Sequence, residues 1–256
     1  MIVDYHMHLR NEREEIAHEV AAIEAFVETA RRRGVDEIGF TEHVYYFRQT
    51  RELWEVSYQC ERCVYDLDAY CDAVLQAKQR GLPVKLGVEV DFVGERQRRL
   101  AEILEPYPWD YLLGSVHWLD GQPVDAWPGI WERGEVEDVW CRYFEALAEL
   151  AASVDVLAHP DLPKIFDLRP TEPASFYPEL DGVALEISTA GLRKPVGEIY
   201  PDPALLRGAP ITLASDAHVP GLVGEDFDRA IELARDAGYE TVTVFDGRRS
   251  RQEPLG

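Results

Sequence analysis

The chain is poor in positive charge and has no long apolar run. Lys and Arg number 26 against 48 Asp and Glu, and the formal net charge is −22. A field of this sign repels phosphate backbones, so we expect no general binding to nucleic acid. A membrane span needs about 18 or more apolar residues in succession, and the first residues, MIVDYHMH, lack the basic and apolar regions of a secretory signal. These absences predict a cytoplasmic protein that does not enter a membrane.

Cysteine is scarce too, and its pattern argues against a structural zinc site. Cys60 and Cys63 form one CxxC pair, but the second pair that such a site needs is missing. Cys71 falls on the apolar face of a predicted helix, and Cys141 stands alone in another. We interpret all four cysteines as reduced thiols.

Hydrophobic residues make up 46% of the chain, which is enough to build a sizeable core. Short β-rich runs alternate with helical patterns. The predicted strands are 2–5, 36–41, 84–90, 110–116, 154–158, 183–187, 211–215 and 241–245. The predicted helices are 14–33, 67–80, 95–105, 136–151 and 225–237. This alternation predicts one α/β domain over residues 1–256 with a parallel sheet, closed into a barrel by seven or eight units. An open doubly wound sheet is the alternative, although no GxGxxG follows the first strand.

The histidines are not scattered along the chain. Six of the seven follow the C-terminal end of a predicted strand: His6, His8, His43, His117, His159 and His218. Strand three ends instead in Glu89 and Asp91. The seventh, His18, is predicted to lie on the solvent-exposed face of its helix. Because the ends of parallel strands in a barrel converge on one face, the other six imidazoles should lie close together.

Their spacing suits metal binding. His6 and His8 are two residues apart, so on an extended segment they face the same side and can share an ion. Asp216 and His218 repeat that relation in SDAH. Imidazole and carboxylate donors without cysteine favour zinc, manganese or ferrous iron. The sequence therefore predicts a metal cluster at the C-terminal ends of the strands.

Seven short motifs carry this pattern. They are DYHMH at 4–8, TEHVYYF at 41–47, GVEVDF at 87–92, GSVHWL at 114–119, LAHPDLPK at 157–164, EISTAGLRKPVGEIYP at 186–201 and SDAH at 215–218. In this order they resemble the polymerase-and-histidinol-phosphatase (PHP) superfamily of metal-dependent phosphoesterases, and within it the histidinol-phosphatase branch. The resemblance implies a distorted (β/α)7 barrel, in which the eighth strand candidate, 241–245, would be peripheral.

Residue by residue, the resemblance implies two or three divalent ions of zinc, iron or manganese. The first would be held by His6, His8, Glu89 and Asp216. Glu89 would bridge to a second ion held by His117 and His159.

A third ion would be held by His43 and His218. In the family a His or Asp about five residues after the second histidine usually completes that site, and here the position is Arg13. We predict that Glu12 supports the third ion in its place, with Glu14 as the alternative donor. Glu14 has an equally plausible role at the positive end of the predicted helix.

The resemblance also implies an activity. It is the hydrolysis of L-histidinol phosphate, a step of histidine biosynthesis, by attack of a metal-bridging hydroxide on phosphorus. The candidate catalytic residues are Glu89, Asp216, His218 and Arg193. The candidate substrate-binding residues are Arg193 and Lys194, as cations for the phosphate, together with Tyr46 and Arg48 in the long aromatic segment 44–66. We expect a monomer or a small homo-oligomer.

Three alternatives stay open. A PHP scaffold can act on a nucleotide or another small phosphate ester. An amidohydrolase barrel also opens with HxH, but its usual lysine on strand four is missing from DYLLGSVH. A metal-binding domain without turnover is the third. The connections after His159 and after Tyr200 are short for the family, which predicts that two outer helices are reduced.

Overall fold

The computed structural model describes residues 1–10 and 18–256, and its centre is a seven-stranded parallel sheet curled into a nearly closed barrel. The strands are β1 (Val3–Asp4), β2 (Glu37–Phe40), β3 (Val84–Asp91), β4 (Tyr111–Ser115), β5 (Trp118–Leu119), β6 (Gln122–Pro123), β7 (Val156–Leu157), β8 (Ala184–Ser188), β9 (Ile211–Ala214), β10 (Thr241–Asp246) and β11 (Arg249–Pro254). The barrel order is β1-β2-β3-β4-β7-β8-β9. The predicted (β/α)7 barrel is confirmed.

Helices cover the outside of the barrel. They are α1 (Val20–Arg33), α2 (Ser57–Arg62), α3 (Leu67–Gln79), α4 (Gln97–Leu104), α5 (Val136–Ala151), α6 (Pro203–Leu206) and α7 (Phe227–Asp236). Turns of 3-10 helix lie at 44–46, 48–53, 94–96, 129–132, 162–166, 173–176, 189–193 and 220–222. Since both faces of the sheet are covered, β3 buries seven of its eight residues, and Glu89 and Asp91 at its C-terminal end are among them.

Strands β1 and β9 stand at the two ends of the order, and the barrel closes between them. The Tyr5 backbone N–H donates to the Leu213 carbonyl at 3.0 Å, and the His8 N–H donates to the Ala217 carbonyl at 2.8 Å. Met7 and Ala217 form a parallel bridge. This closure places His8 beside Ala217, the residue that precedes His218.

The predicted peripheral strand is β10, which pairs antiparallel with β11. Phe245 stacks on Tyr111 with ring centroids 5.6 Å apart, and Tyr111 stacks on Tyr5 at 5.1 Å. Tyr111 begins β4, so the hairpin covers the N-terminal end of the barrel. The opposite end stays available for the site.

The two short outer connections agree with expectation. Residues 158–183, all of which the structure describes, contain turns of 3-10 helix and no α-helix, and residues 201–210 contain only the four residues of α6.

Gly34 caps the C-terminal end of helix α1. Its positive φ of 73° lets its N–H turn back to the Ala30 and Arg31 carbonyls. In the described part of the chain no helix has the length and apolar character that crossing a membrane requires.

Candidate metal centre

A cavity of about 350 Å³ opens at the C-terminal ends of the barrel strands, within the range of small-molecule sites. Seven predicted metal ligands line it: His6, His43, Glu89, His117, His159, Asp216 and His218. The eighth described candidate, His8, is 1% exposed and contacts several of them. The sequence prediction that these side chains converge is confirmed.

Four of them surround one point. Nε2 of His6 and Nε2 of His8 are 3.2 Å apart, and they lie 3.2 and 3.4 Å from Oε2 of Glu89. The same two nitrogens lie 3.7 and 3.5 Å from Oδ1 of Asp216. Donor atoms bound tetrahedrally at about 2.1 Å from an ion are about 3.4 Å apart. The spacing of His6, His8 and Asp216, which form one group of possible metal donors, therefore fits a single divalent ion, with Glu89 beside the two imidazoles.

Protonation supports that fit. Nδ1 of His6 lies 3.0 Å from Glu186, and Nδ1 of His8 lies 3.7 Å from Glu42. The hydrogen bond to Glu186 places a proton on Nδ1 of His6, and the charge of Glu42 favours a proton on Nδ1 of His8, so that both Nε2 atoms would act as acceptors facing each other and Glu89. Acceptors packed so closely repel one another unless a cation lies among them.

Glu89 faces two sets of ligands with its two oxygens. Oε2 lies near His6 and His8, and it is also 3.0 Å from Nδ1 of His43. Oε1 lies 3.7 Å from Nε2 of both His117 and His159. Burial acts to raise the pKa of Glu89, but His43 and His6 outweigh it and hold the pKa well below its usual range. A buried, ionised carboxylate in this position can bridge two cations.

His43 and His218 are the predicted ligands of a third ion, and both line the cavity. Nδ1 of His43 lies 3.4 Å from Asp91, and Asp91 lies 3.1 Å from Nδ1 of His117. His218 turns Nδ1 toward the Asp216 carbonyl oxygen at 3.1 Å, and its ring centroid is 4.4 Å from that of His8. Among the described residues, His43 belongs to two groups of three possible metal donors and His218 to none. Glu12 and Glu14 lie outside the described residues, so the third site stays a prediction.

The carboxylates set the charge of the imidazoles. Burial acts to lower the pKa of His8, but the neighbouring Asp216 and Glu42 raise it to about 9. Burial acts the same way on His117, where Glu89 and Asp91 raise the pKa to about 10. The carboxylates therefore favour positive charge at these imidazoles, either as a bound proton or as a bound metal ion.

Two of the predicted ligands have unusual backbone conformations. Asp216 has φ of 51° and His159 has φ of 28°, a region that is costly for residues other than glycine. The Glu186 carboxylate holds His159 there by accepting its backbone N–H at 2.7 Å. Backbone bonds between the first and last strand ends hold Asp216, since the Ala217 N–H donates to the His6 carbonyl at 3.3 Å. These hydrogen bonds stabilise the strained backbone at two positions that carry predicted ligands.

The two predicted phosphate-binding cations have different surroundings. Lys194 lines the cavity. Arg193 does not, because its guanidinium donates to the Ser215 carbonyl and lies 3.6 Å from Glu225. Of the two predicted substrate contacts in segment 44–66, Tyr46 lines the cavity, whereas Arg48 is exposed and does not.

The prediction that His18 is solvent-exposed is wrong. Helix α1 begins at Val20, so His18 precedes it and helical periodicity does not apply. Its side chain is 4% exposed, with Nε2 3.6 Å from Glu42 and ring centroids 5.0 and 5.2 Å from Tyr65 and Tyr70. His18 therefore contacts Glu42, the same carboxylate that lies beside His8.

The sequence reasoning gave no role to three carboxylates around the ligands. Glu42, Glu186 and Asp91 are buried at 0% exposure and contact His8, His6 and His117 respectively. Each lies inside one of the seven motifs: Glu42 is next to His43, Asp91 is two residues from Glu89, and Glu186 opens the motif 186–201. The available signal was a carboxylate at or near the C-terminal end of a predicted buried strand, since a buried carboxylate requires a partner.

The barrel and its ligands define the class of protein. The sequence matches the PHP domain family over residues 4–190, and the chain belongs to that family. It is 34% identical over 241 residues to the "Probable histidinol-phosphatase" of Deinococcus radiodurans, covering 88% of this chain and 91% of that protein. A second relative of the same name, from Schizosaccharomyces pombe, is 25% identical over 264 residues, covering 90% of this chain and 85% of that protein.

A solved structure gives the same fold. The crystal structure of histidinol phosphate phosphatase from Lactococcus lactis, complexed with zinc, L-histidinol and phosphate, superposes with a TM-score of 0.71 and 18% identity. The match covers 98% of each chain. At that identity the likeness establishes the barrel.

Proposed function

We propose that this protein is a metal-dependent phosphomonoesterase that hydrolyses L-histidinol phosphate to L-histidinol and phosphate in histidine biosynthesis. The observation that carries the proposal is the position of Glu89, fully buried and facing one group of imidazoles with each oxygen. The names of the relatives in Deinococcus radiodurans and Schizosaccharomyces pombe support the choice of substrate.

The chain offers two adjacent metal sites with a shared carboxylate. His6, His8, Glu89 and Asp216 would hold one ion, and His117 and His159 would hold a second together with Glu89. Bound zinc, iron or manganese would lower the pKa of a water molecule toward 7 and would offset the charge of the phosphate.

The residues around the metal sites orient the substrate. Lys194 lines the cavity and would contact the phosphate oxygens. Arg193 would act as a positioning residue, because its bond to the Ser215 carbonyl ties the turn that carries Lys194 to the segment before Asp216. His218 directs Nδ1 to a backbone oxygen and is 35% exposed, which leaves Nε2 to contact the ester oxygen.

The experiment that tests the substrate is phosphate release by metal-replete protein from a panel of L-histidinol phosphate, nucleotides and sugar phosphates. We expect kcat/KM for L-histidinol phosphate to exceed that of every other ester by at least about tenfold. Glu89→Gln, purified in the same way, controls for contaminating phosphatases and should release no phosphate. Faster hydrolysis of a nucleotide or sugar phosphate would replace the proposed substrate by the alternative one.

Other expectations accompany this proposal. A single domain over residues 1–256, a cytoplasmic location, a monomer or small homo-oligomer, and no binding of nucleic acid stay predictions. The net charge of −22 supports the last of them.

A further inference from the structure

The metal cavity is lined by an exposed carboxylate, Asp125, that forms no ion pair with the residues the structure describes. Asp125 lines the cavity, is exposed, and belongs to none of the donor groups suited to a metal. Among residues 1–10 and 18–256, none forms a hydrogen bond or ion pair with its side chain. Its charge is therefore available to a ligand.

The backbone beside Asp125 is fixed to the metal site. The neighbouring Val124 is fully buried, its N–H donates to the His117 carbonyl at 2.8 Å, and its carbonyl accepts from Trp131 Nε1 at 2.7 Å. The preceding strands β5 and β6 form a short hairpin that starts one residue after His117. Asp125 therefore stands at a defined place relative to a metal ligand, although its loop lies at the surface.

The cavity also has an aromatic wall. Tyr45, Tyr58 and Trp118 line it, with ring centroids 6.1 Å apart for Tyr45 and Tyr58 and 5.5 Å apart for Tyr58 and Trp118. Arg62 covers a face of Tyr58 at 3.5 Å. The wall provides apolar and planar contact area, but it provides no group to neutralise Asp125.

A free carboxylate at the entrance is unfavourable for a purely anionic ligand. A phosphate ester that binds at the metal ligands and Lys194 would be repelled by Asp125, and the net charge of the protein adds to that repulsion. An ester that also carries a cation would be attracted instead. The charges that line the cavity thus match a ligand that carries both a phosphate, for the metal ligands and Lys194, and an ammonium group, for Asp125.

We propose that Asp125 is a specificity-determining residue that selects phosphate monoesters bearing an ammonium group, by pairing with that group while the phosphate occupies the metal end. This inference rests on the proposed phosphatase function and deepens it. It names the charge that discriminates among small phosphate esters of similar size.

The test compares Asp125→Asn with wild type on two pairs of esters, each pair differing by the amine. The first pair is L-histidinol phosphate and 3-(imidazol-4-yl)propyl phosphate, and the second is 2-aminoethyl phosphate and ethyl phosphate. We expect Asp125→Asn to lower kcat/KM for the amine-bearing member about tenfold, mainly through KM, and to change the amine-free member less than twofold. Metal content should stay equal to that of wild type.

Asp120→Asn is the matched control. Asp120 lies in the hairpin that precedes Asp125, is exposed, pairs with Arg142 and does not line the metal cavity, so its replacement changes the charge equally without the predicted effect. An equal loss on both members of each pair, no loss on either, or loss of bound metal in Asp125→Asn would overturn the inference.

The design separates this inference from the proposed function. If wild type hydrolyses 2-aminoethyl phosphate in preference to L-histidinol phosphate and the preference for the amine depends on Asp125, the inference stands while the proposed substrate is replaced. If wild type hydrolyses L-histidinol phosphate well and Asp125→Asn treats both members alike, the proposed function stands and the inference fails.

Discussion

Glu186 joins His6 and His159 through its two carboxylate oxygens. One oxygen lies 3.0 Å from Nδ1 of His6, and the other accepts the backbone N–H of His159 at 2.7 Å. A hydrogen bond from Nδ1 fixes the tautomer of His6, so Nε2 presents its lone pair to the Glu89 side of the cavity. One buried carboxylate thus orients a predicted ligand that follows β1 and holds the strained backbone of another that follows β7.

We expect Glu186→Gln to weaken metal binding about 10- to 100-fold, the usual effect of losing a carboxylate that orients a ligating histidine. Competition with a fluorescent zinc chelator measures the change. Glu179→Gln, at an exposed carboxylate, is the control. Unchanged metal affinity in a folded Glu186→Gln protein would contradict the assigned orientation of His6.

Glu42 and His18 should be energetically coupled. Glu42 is fully buried, and although burial acts to raise its pKa, His18 and His8 hold the pKa below its usual range. His18→Leu removes one of these partners and should lower the free energy of unfolding by about 1–3 kcal/mol. Urea denaturation measures it.

The control for this pair is the double variant. In a Glu42→Gln background the buried charge is gone, so His18→Leu should cost clearly less than it does in the wild type. Equal costs in the two backgrounds would show that His18 acts only by packing against Tyr65 and Tyr70.

Removal of metal should destabilise the protein as well as inactivate it. Without a cation, the acceptors of His6, His8, Glu89 and Asp216 face one another at 3.2 to 3.7 Å in a buried site. A ligand present at 100 times its dissociation constant stabilises the folded state by about 2.7 kcal/mol, so a chelator should lower Tm by several degrees. Thermal scans with and without chelator, followed by addition of zinc, measure loss and recovery. An unchanged Tm after verified metal loss would contradict the fit of these residues to an ion.

The N-terminal end of the barrel gives a test of packing that is independent of the site. A Cβ atom at Gly39 would overlap the hydroxyl group of Tyr111, which donates to the Tyr5 carbonyl at 2.6 Å. Gly39→Ala should therefore cost about 1–3 kcal/mol of unfolding free energy. Tyr111→Phe alone should cost about 1 kcal/mol for the lost hydrogen bond.

Combining the two changes discriminates the cause. Tyr111→Phe removes the overlapping oxygen, so it should reduce the cost of Gly39→Ala when both are present, as chemical denaturation would reveal. Strictly additive costs would mean that Gly39 is required for another reason.

The barrel and the convergence of most candidate ligands were predictable because they depend on local patterns. Strands buried on both faces give continuous apolar runs, and the ends of parallel strands must converge, which places His117 and His159 together although 42 positions separate them in the sequence. Contacts set by packing of distant segments were not predictable. The partner of Arg193 is Glu225, and His18 is buried by Tyr65 and Tyr70, pairs that no periodicity connects.

The central claim is that Glu89 joins two ions into a centre that hydrolyses a phosphate ester. It is tested most directly by measuring bound metal per chain and phosphate release from L-histidinol phosphate in the same sample of Glu89→Gln. The account predicts fewer bound ions than in wild type and a rate lower by more than about 100-fold, beyond the effect of changing a residue that only orients a ligand. Full metal occupancy together with a wild-type rate would contradict it.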